Sequence, residues 1–441
     1  MDKFYYDVVV IGSGPAGISA ALTAKAFYPN KTVLIITKSK SQIIPCAMPY
    51  VFKTIRLESN VINLDELCKK HGINLSEDTV ENIDFNLKEI KGNRDYRYDK
   101  LIIATGAKPK KLNIKGIEKK NVFFLVKEYN YLVRLKEAVS KSNKIVIIGA
   151  GFAGLELADE LVNMNKDVLI IEALEDLLYF AFDSEIRKEI RRLLENKGVR
   201  FKFNSKLVEI FGNDKVEGVK LENESIKCDL VIFSIGTVPN VISEELSTND
   251  YGFIKVNEYQ ETSIKDVFAA GDCAEKIDYF TDKPSKLMLA TIACEEGRIA
   301  GANLYNKQVK KEKVLPIYST YIQGKAFACC GMTEQIAKQL NINYIKAGIK
   351  TYDRHPSAIN DSSLIEGKMI FNEKEEIIGI ELYGSKSVGE IINICPLLIK
   401  ERCTINDLLK MKIATQPHLT SSPISYPIIQ AAINAKKELK K

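Results

Sequence analysis

A single cysteine stands in Ile43-Ile44-Pro45-Cys46-Ala47-Met48-Pro49-Tyr50, with no second cysteine nearby. Pro45 and Pro49 stiffen the backbone on either side. A thiolate held in this way can attack, or be released from, a disulfide, a persulfide or a sulfenic acid. The competing reading is an inert packed cysteine, because reactivity follows exposure and thiolate character. Two glycine-rich stretches lie to either side of it, Gly12-Ser13-Gly14-Pro15-Ala16-Gly17 and Gly149-Ala150-Gly151-Phe152-Ala153-Gly154. In each, the first glycine permits a tight turn and the second lets backbone approach a pyrophosphate. The third lets a helix pack closely on a strand.

Such spacing carries weight only between a strand and a helix, and both stretches have that setting. The apolar run 7–11 precedes the first, a helix from Ile18 follows, and a second apolar run covers 32–36. Residues 144–148 lead into the second, a helix over 155–161 follows, then a strand over 168–171. The end of that next strand is where an acid meets an adenosine ribose. After the first stretch the chain has Thr37-Lys38, and Thr37 hydrogen-bonds a hydroxyl less strongly than a carboxylate would. After the second it has Glu172, with no arginine in Ala173-Leu174-Glu175. A 2′-phosphate would be repelled there, so NADH is expected over NADPH. The alternative for Glu172 is a solvated strand-end carboxylate.

Two dinucleotide units imply two nucleotides, FAD in the first and NAD in the second, with hydride passing from nicotinamide to flavin. Cys46 lies just past the second strand of the first unit and is the candidate to take the electrons onward. Other stretches serve the same cofactors. The run 98–107 ends a buried strand in Ala104-Thr105-Gly106-Ala107, and 267–272 ends another in Ala270-Gly271-Asp272. Asp272 can accept from a ribityl hydroxyl, or cap a helix. Val80, within expected strands around Val80 and Ile83, and Gly236, closing the run from Cys228, complete the cofactor-binding set. The fold class is α/β. Residues 1–112 and 245–315 are expected to form a discontinuous FAD-binding domain and 113–244 an inserted NAD-binding domain. Residues 316–441 carry no glycine fingerprint and read as a separate α+β domain.

The bulk numbers exclude several classes. Net charge is +6 over 441 residues, and no dense basic stripe interleaved with aromatics suggests nucleic acid. No apolar run approaches the roughly 18 residues of a membrane span. The first strand begins almost at once, after Asp2 and Asp7, so no signal peptide is expected. Nine cysteines without framework spacing fit a reduced, cytoplasmic compartment. Three histidines, none at zinc-like spacing from a cysteine pair, suggest no metal site.

The glycine stretches with Glu172, together with Cys46-Ala47-Met48-Pro49-Tyr50, Ala104-Thr105-Gly106 and Ala270-Gly271-Asp272, carry a family likeness. The chain resembles the FAD-dependent pyridine nucleotide–disulfide oxidoreductases over nearly its whole length. It is most similar to their single-cysteine branch of NADH oxidases, NADH peroxidases and coenzyme A-disulfide reductases. Dithiol members carry two cysteines separated by four residues, and this chain lacks the partner. The resemblance implies that Cys46 cycles between thiolate and either a sulfenic acid or a mixed disulfide with coenzyme A. It also implies a homodimer whose C-terminal segment closes each active site from the other subunit.

Two departures bear on the acceptor. The oxidases and peroxidases carry a histidine in the first glycine turn, which here reads Ser13-Gly14-Pro15. Coenzyme A-disulfide reductases show Tyr-Tyr-Pro-Gly where this chain has Arg354-His355-Pro356-Ser357. Tyr426 and His418 remain as candidate proton donors. The expected activity is NADH-dependent reduction of a small disulfide, persulfide or polysulfide, with coenzyme A as substrate or ligand and NADPH as the secondary donor. Alternatives are an NADH oxidase or peroxidase, an electron-transfer reductase for a protein such as rubredoxin, and a flavin-bound redox sensor.

Overall fold

The computed structural model describes residues 4–440; Asp2 lies outside them. The chain forms two compact units. The first comprises residues up to Asn113, Phe123–Lys141 and Ile235–Val314; the second comprises Ile114–Val122, Ser142–Ser234 and Leu315 onward.

The first unit is built on a parallel sheet ordered Asn74–Glu77, Val33–Thr37, Phe4–Ile11, Tyr96–Ile103, with Val267–Ala269 also parallel to Tyr96–Ile103. Glu89–Lys91 and Asn82–Asp84 add an antiparallel edge. Side chains alternate along these strands, as a two-residue period demands. Val8, Val10, Val33 and Ile35 meet one core, while Val9, Ile11, Leu34 and Ile36 meet the other. The first core is closed by helices Pro15–Phe27 and Ala290–Ala302 through alanines 16, 20, 24, 293 and 300. The two helices touch backbone to backbone: a Cβ on Gly297 would lie 2.2 Å from the Ala16 carbonyl oxygen.

The second unit holds a parallel sheet ordered Leu230–Phe233, Lys144–Ile148, Asp167–Ile171, Arg200–Lys202. It also holds an antiparallel sheet ordered Ile317–Ile322, Lys325–Gly331, Ile377–Gly384, Leu364–Phe371, Ile345–Tyr352. The architecture is thus α/β, with two Rossmann-like regions and a C-terminal α+β domain.

Two local expectations are corrected. Of the strands placed around Val80 and Ile83, only Asn82–Asp84 forms; the strand Asn74–Glu77 precedes it. The Asp78 carboxylate draws the chain off the sheet by accepting the backbone N–H of Thr79, Asn93 and Arg94 and the Tyr96 hydroxyl. Asp272 sits in a turn, and the helix beyond it begins only at Ala290. Asp183 occupies the N-cap position of helix Ser184–Glu195, but its carboxylate caps a different helix. Its oxygens accept the N–H groups of Glu334 and Gln335 at 2.8 and 3.0 Å, at the start of Glu334–Gln339.

Candidate active site

The first glycine turn closes on itself. Gly12 has φ +109°, and a Cβ there would lie 2.2 Å from the Ala104 carbonyl oxygen. A Cβ on Gly17 would lie 2.0 Å from the Gly12 carbonyl oxygen. Gly14 differs: a Cβ there would meet nothing within 4 Å, so its surroundings are open. Gly14 is the N-cap of Pro15–Phe27 and contributes no side-chain cap. The first N–H groups of that helix are therefore left for an anion, which the helix dipole also favours.

This turn floors a cleft. Of the residues singled out in the sequence, Gly12, Gly14, Pro15, Ala16, Thr37, Val80, Ala104, Thr105, Gly106 and Asp272 line it. Gly17 lies behind the turn, and Gly271, at φ +82°, abuts Ala16. The strand end Ala104–Gly106 is fastened to Asn240. The Thr105 hydroxyl donates to the Asn240 carbonyl at 2.5 Å, and the Asn240 N–H donates to Gly106 at 2.9 Å. Thr37 is buried, its Oγ1 2.6 Å from Ser13 Oγ, and it also donates to the Ser39 carbonyl.

Residues the motifs do not reveal also line the cleft: Lys38, Gln42, Asp78, Lys127 and Asn240. Lys127 Nζ stands 3.7 Å from Asp272 Oδ2, so cation and carboxylate face the same space. Burial pushes the Asp78 carboxyl up, but the N–H of Asn93 and the Tyr96 hydroxyl outweigh it and hold Asp78 below its ordinary value. Asp78 and Lys127 belong to no spacing pattern, since distant segments bring them in. A charged residue just past a strand end is the one signal that could have marked Lys38.

Cys46 lies in the short 3-10 helix Pro45–Phe52. Met48, Pro49, Val51 and Phe52 bury the opposite side of this turn. Lys136 Nζ donates to the Val51 carbonyl at 2.5 Å, and Asn60 Nδ2 donates to the Ile44 carbonyl at 3.2 Å. The anchored turn leaves Cys46 exposed and outside any disulfide, while its neighbour Pro45 lines the cleft. Cys68, Cys228, Cys273, Cys329, Cys330 and Cys395 are buried. Burial lifts the thiols of Cys228 and Cys395 to about 12, far from thiolate formation at neutral pH.

The second glycine turn has the same backbone. Gly149 has φ +105°, a Cβ on Gly154 would lie 2.4 Å from the Gly149 carbonyl oxygen, and Gly151 is open. Phe152 and Ala153 begin the helix Phe152–Val162, and the Phe152 ring stacks on Tyr318 with centroids 5.2 Å apart. Glu172 closes this turn: its carboxylate accepts the Ala150 N–H at 2.7 Å and the Leu174 N–H at 2.9 Å. Further along the helix, burial raises the Glu156 carboxyl to about 7, with the Thr320 hydroxyl donating to it at 2.7 Å. Gly236, at φ +83°, belongs to the first unit, where its carbonyl accepts the Lys110 N–H.

Tyr426 and His418 belong to the second unit and Cys46 to the first. Tyr426 is half-buried at the N-cap of helix Pro427–Glu438, and burial raises its hydroxyl above the ordinary value. His418 is exposed, its N–H bonded to Gln416 Oε1 at 2.7 Å. Among the described residues, no group of three or more His, Cys, Asp or Glu is placed to hold a metal ion. No helix among them is long and apolar enough to cross a membrane.

Two open-centred glycine turns, each between a parallel strand and a helix, with an exposed cysteine beside the first cleft, define a two-nucleotide oxidoreductase. The chain belongs to the pyridine nucleotide-disulphide oxidoreductase family, which it matches over residues 6–297, and residues 317–424 match that family's dimerisation domain. It is an FAD-dependent NAD(P)H oxidoreductase. The chain is similar to an NADH oxidase of Methanocaldococcus jannaschii, 29% identical, covering 98% of this chain and 99% of that protein. It is also similar to a CoA-dependent NAD(P)H sulfur oxidoreductase of Pyrococcus abyssi, 28% identical, covering 96% and 97%. Among solved structures, an NAD-dependent persulfide reductase from A. fulgidus superposes with a TM-score of 0.90 at 27% identity, over 98% of this chain and 84% of that one.

Proposed function

We propose that this enzyme uses NADH to reduce a small disulfide, persulfide or polysulfide through Cys46, with coenzyme A disulfide as the leading acceptor. The observation that carries the reading is Cys46 itself: exposed, anchored, and next to the cleft-lining Pro45, while six other cysteines are buried. The names of the sulfur and persulfide reductases to which the chain is similar support it.

The open N–H groups at the start of Pro15–Phe27 would hold the FAD pyrophosphate, Thr37 the adenosine ribose, and Asp272 the ribityl chain. Bound FAD supplies two-electron transfer between the nicotinamide and the cysteine sulfur. Glu172 holds the NADH ribose hydroxyls and repels a 2′-phosphate. The Cys46 thiolate attacks one acceptor sulfur, the acceptor S–S bond breaks, and one thiolate leaves. Two electrons and a proton then split the resulting mixed disulfide, restoring the Cys46 thiolate and releasing the second thiol. The net reaction is NADH + H⁺ + disulfide → NAD⁺ + two thiols. In this reading residues 1–112 and 245–315 serve FAD, 113–244 serve NAD(H), and 316–441 pair two subunits. Tyr426 and His418 of the paired subunit are the candidate proton donors. A cytoplasmic location fits cysteines that form no disulfide.

A second reading, an NADH oxidase or peroxidase, is favoured by the name of the Methanocaldococcus relative. Against it, Ser13-Gly14-Pro15 places no histidine in the first turn.

The test is anaerobic reduction of the purified protein with NADH, followed by oxygen, peroxide, coenzyme A disulfide, polysulfide or rubredoxin in separate cuvettes. The sulfur acceptors should reoxidise the wild type fastest. Cys46→Ser should still be reduced by NADH but lose on the order of 10³-fold in turnover, the scale on which removal of a nucleophile is felt. Undiminished turnover of that variant with sulfur acceptors would sink the proposal.

A further inference from the structure

A buried ionic cluster beneath the first cleft is used by no step above. Glu296, on helix Ala290–Ala302, is 1% exposed and Lys276 is 0% exposed. Glu296 Oε2 accepts the backbone N–H of Gly271 at 2.8 Å. Lys276 Nζ donates to the carbonyls of Gly271 and Ala274 at 2.7 and 2.8 Å, and lies 3.4 Å from Glu296 Oε2. Lys311 Nζ stands 2.6 Å from Glu296 Oε1 and donates to the Glu275 carbonyl. Both polar backbone groups of Gly271 therefore end on buried charged side chains.

Such a cluster is a poor way to stabilise a core. Desolvating three ionisable groups offsets most of their attraction, and packed apolar side chains of similar volume often do as well or better. What it does supply is direction. Gly271 is held at φ +82°, and a Cβ there would lie 2.7 Å from Ala16 Cβ. The next residue, Asp272, lines the cleft.

We propose that Glu296, with Lys276 beside it, is a positioning residue for the flavin: it fixes the Gly271 peptide so that Asp272 meets the cofactor in one orientation. The inference rests on the reading of Asp272 as a flavin contact, and the experiment separates the two. Flavin is removed from the holoenzyme and rebound, and its dissociation constant is measured for Glu296→Leu, Glu296→Gln, Lys276→Met and Asp272→Ala, together with each Tm. Glu296→Leu keeps volume but offers no acceptor, and should weaken FAD by about tenfold or more, as loss of one charge-assisted hydrogen bond implies. Glu296→Gln retains an oxygen for the Gly271 N–H and should recover most of that affinity, a rescue that bulk destabilisation would not produce. Lys276→Met should weaken FAD in the same sense, and it decides the matter if Glu296→Leu does not fold. Asp272→Ala weakened with Glu296→Leu and Lys276→Met unchanged would overturn the inference alone. An unchanged Asp272→Ala would overturn the reading on which it rests.

Discussion

The two glycine turns share a backbone and differ in what closes them. At the first, the closing contact is hydroxyl to hydroxyl, Ser13 to Thr37 at 2.6 Å. At the second, a carboxylate reaches back to a main-chain N–H, Glu172 to Ala150 at 2.7 Å. The first closure is neutral; the second places a negative charge at the end of its strand. A resident cofactor and an exchanging one make different demands. The first turn is sealed by short buried side chains, whereas the second keeps a carboxylate that, under the proposed function, would select among donors at each cycle. Both carboxylate oxygens of Glu172 are engaged by N–H groups, so under the proposed function a ribose hydroxyl would have to share or replace one of these bonds.

The sharpest way to break this comparison is to fill the third glycine of each turn. Gly17→Ala drives a methyl to 2.0 Å from the Gly12 carbonyl oxygen and should give a protein purified without flavin, read as lost absorbance near 450 nm. Gly154→Ala is the matched change at 2.4 Å. It should leave the flavin bound and raise the KM for NADH instead, overpacking of this kind being worth about 1–3 kcal/mol. Equal flavin loss in both would show that the turns do not serve separate nucleotides.

A smaller effect tests the charge. Glu172→Ala should cost NADH about tenfold in kcat/KM, the scale of one hydrogen bond to a charged group, and narrow the preference over NADPH. An unchanged ratio of the two donors would remove Glu172 from selectivity.

The next effect depends on pH. The Glu156 carboxyl rises from its ordinary 4.5 to about 7 in the folded chain. Between those values the unfolded chain gives up a proton that the folded chain keeps, so stability falls as pH rises through the window and stays lowered above it. Glu156→Gln should therefore raise Tm at pH 8, by the equivalent of about 1–2 kcal/mol after allowance for partial exposure, and leave it unchanged at pH 4.5. A Tm gain at the lower pH would contradict this account.

The smallest effect concerns the neutral closure. Thr37→Val keeps shape and loses the hydroxyl, and should weaken FAD rebinding by about threefold, one neutral hydrogen bond's worth. A loss of a hundredfold would mean that Thr37 carries as much as a carboxylate.

Much of this molecule is legible along the chain, because its main signals are local. A glycine that must adopt φ near +105° and a strand that alternates between two cores leave their marks within a dozen residues. So does helix Leu64–His71, which starts where Asn63 caps it and stops where Gly72 turns left-handed. What stays hidden is assembled across distance. Val80 lines the cleft from a loop and not from a strand, because Asp78 spends its carboxylate on Asn93, Arg94 and Tyr96. Asp183 occupies the cap position of one helix and serves another 151 residues away. Lys127 reaches Asp272 across more than a hundred positions. No short window of sequence holds both partners of the last two pairs.

The bond from Asp183 to Glu334 has a practical corollary for anyone trimming the gene. Lys368, on the antiparallel sheet, is within 3.0 Å of Asp183 and within 2.8 Å of Glu185, both from the nucleotide half of the same unit. A fragment ending before Ile317 would strip those two carboxylates of their cation and expose the surface that Thr320 and Gln323 cover on the Glu156–Asp159 helix turn. The second nucleotide fold is therefore not a cassette to be lifted out alone, and chimeras should move it together with the sheet that follows.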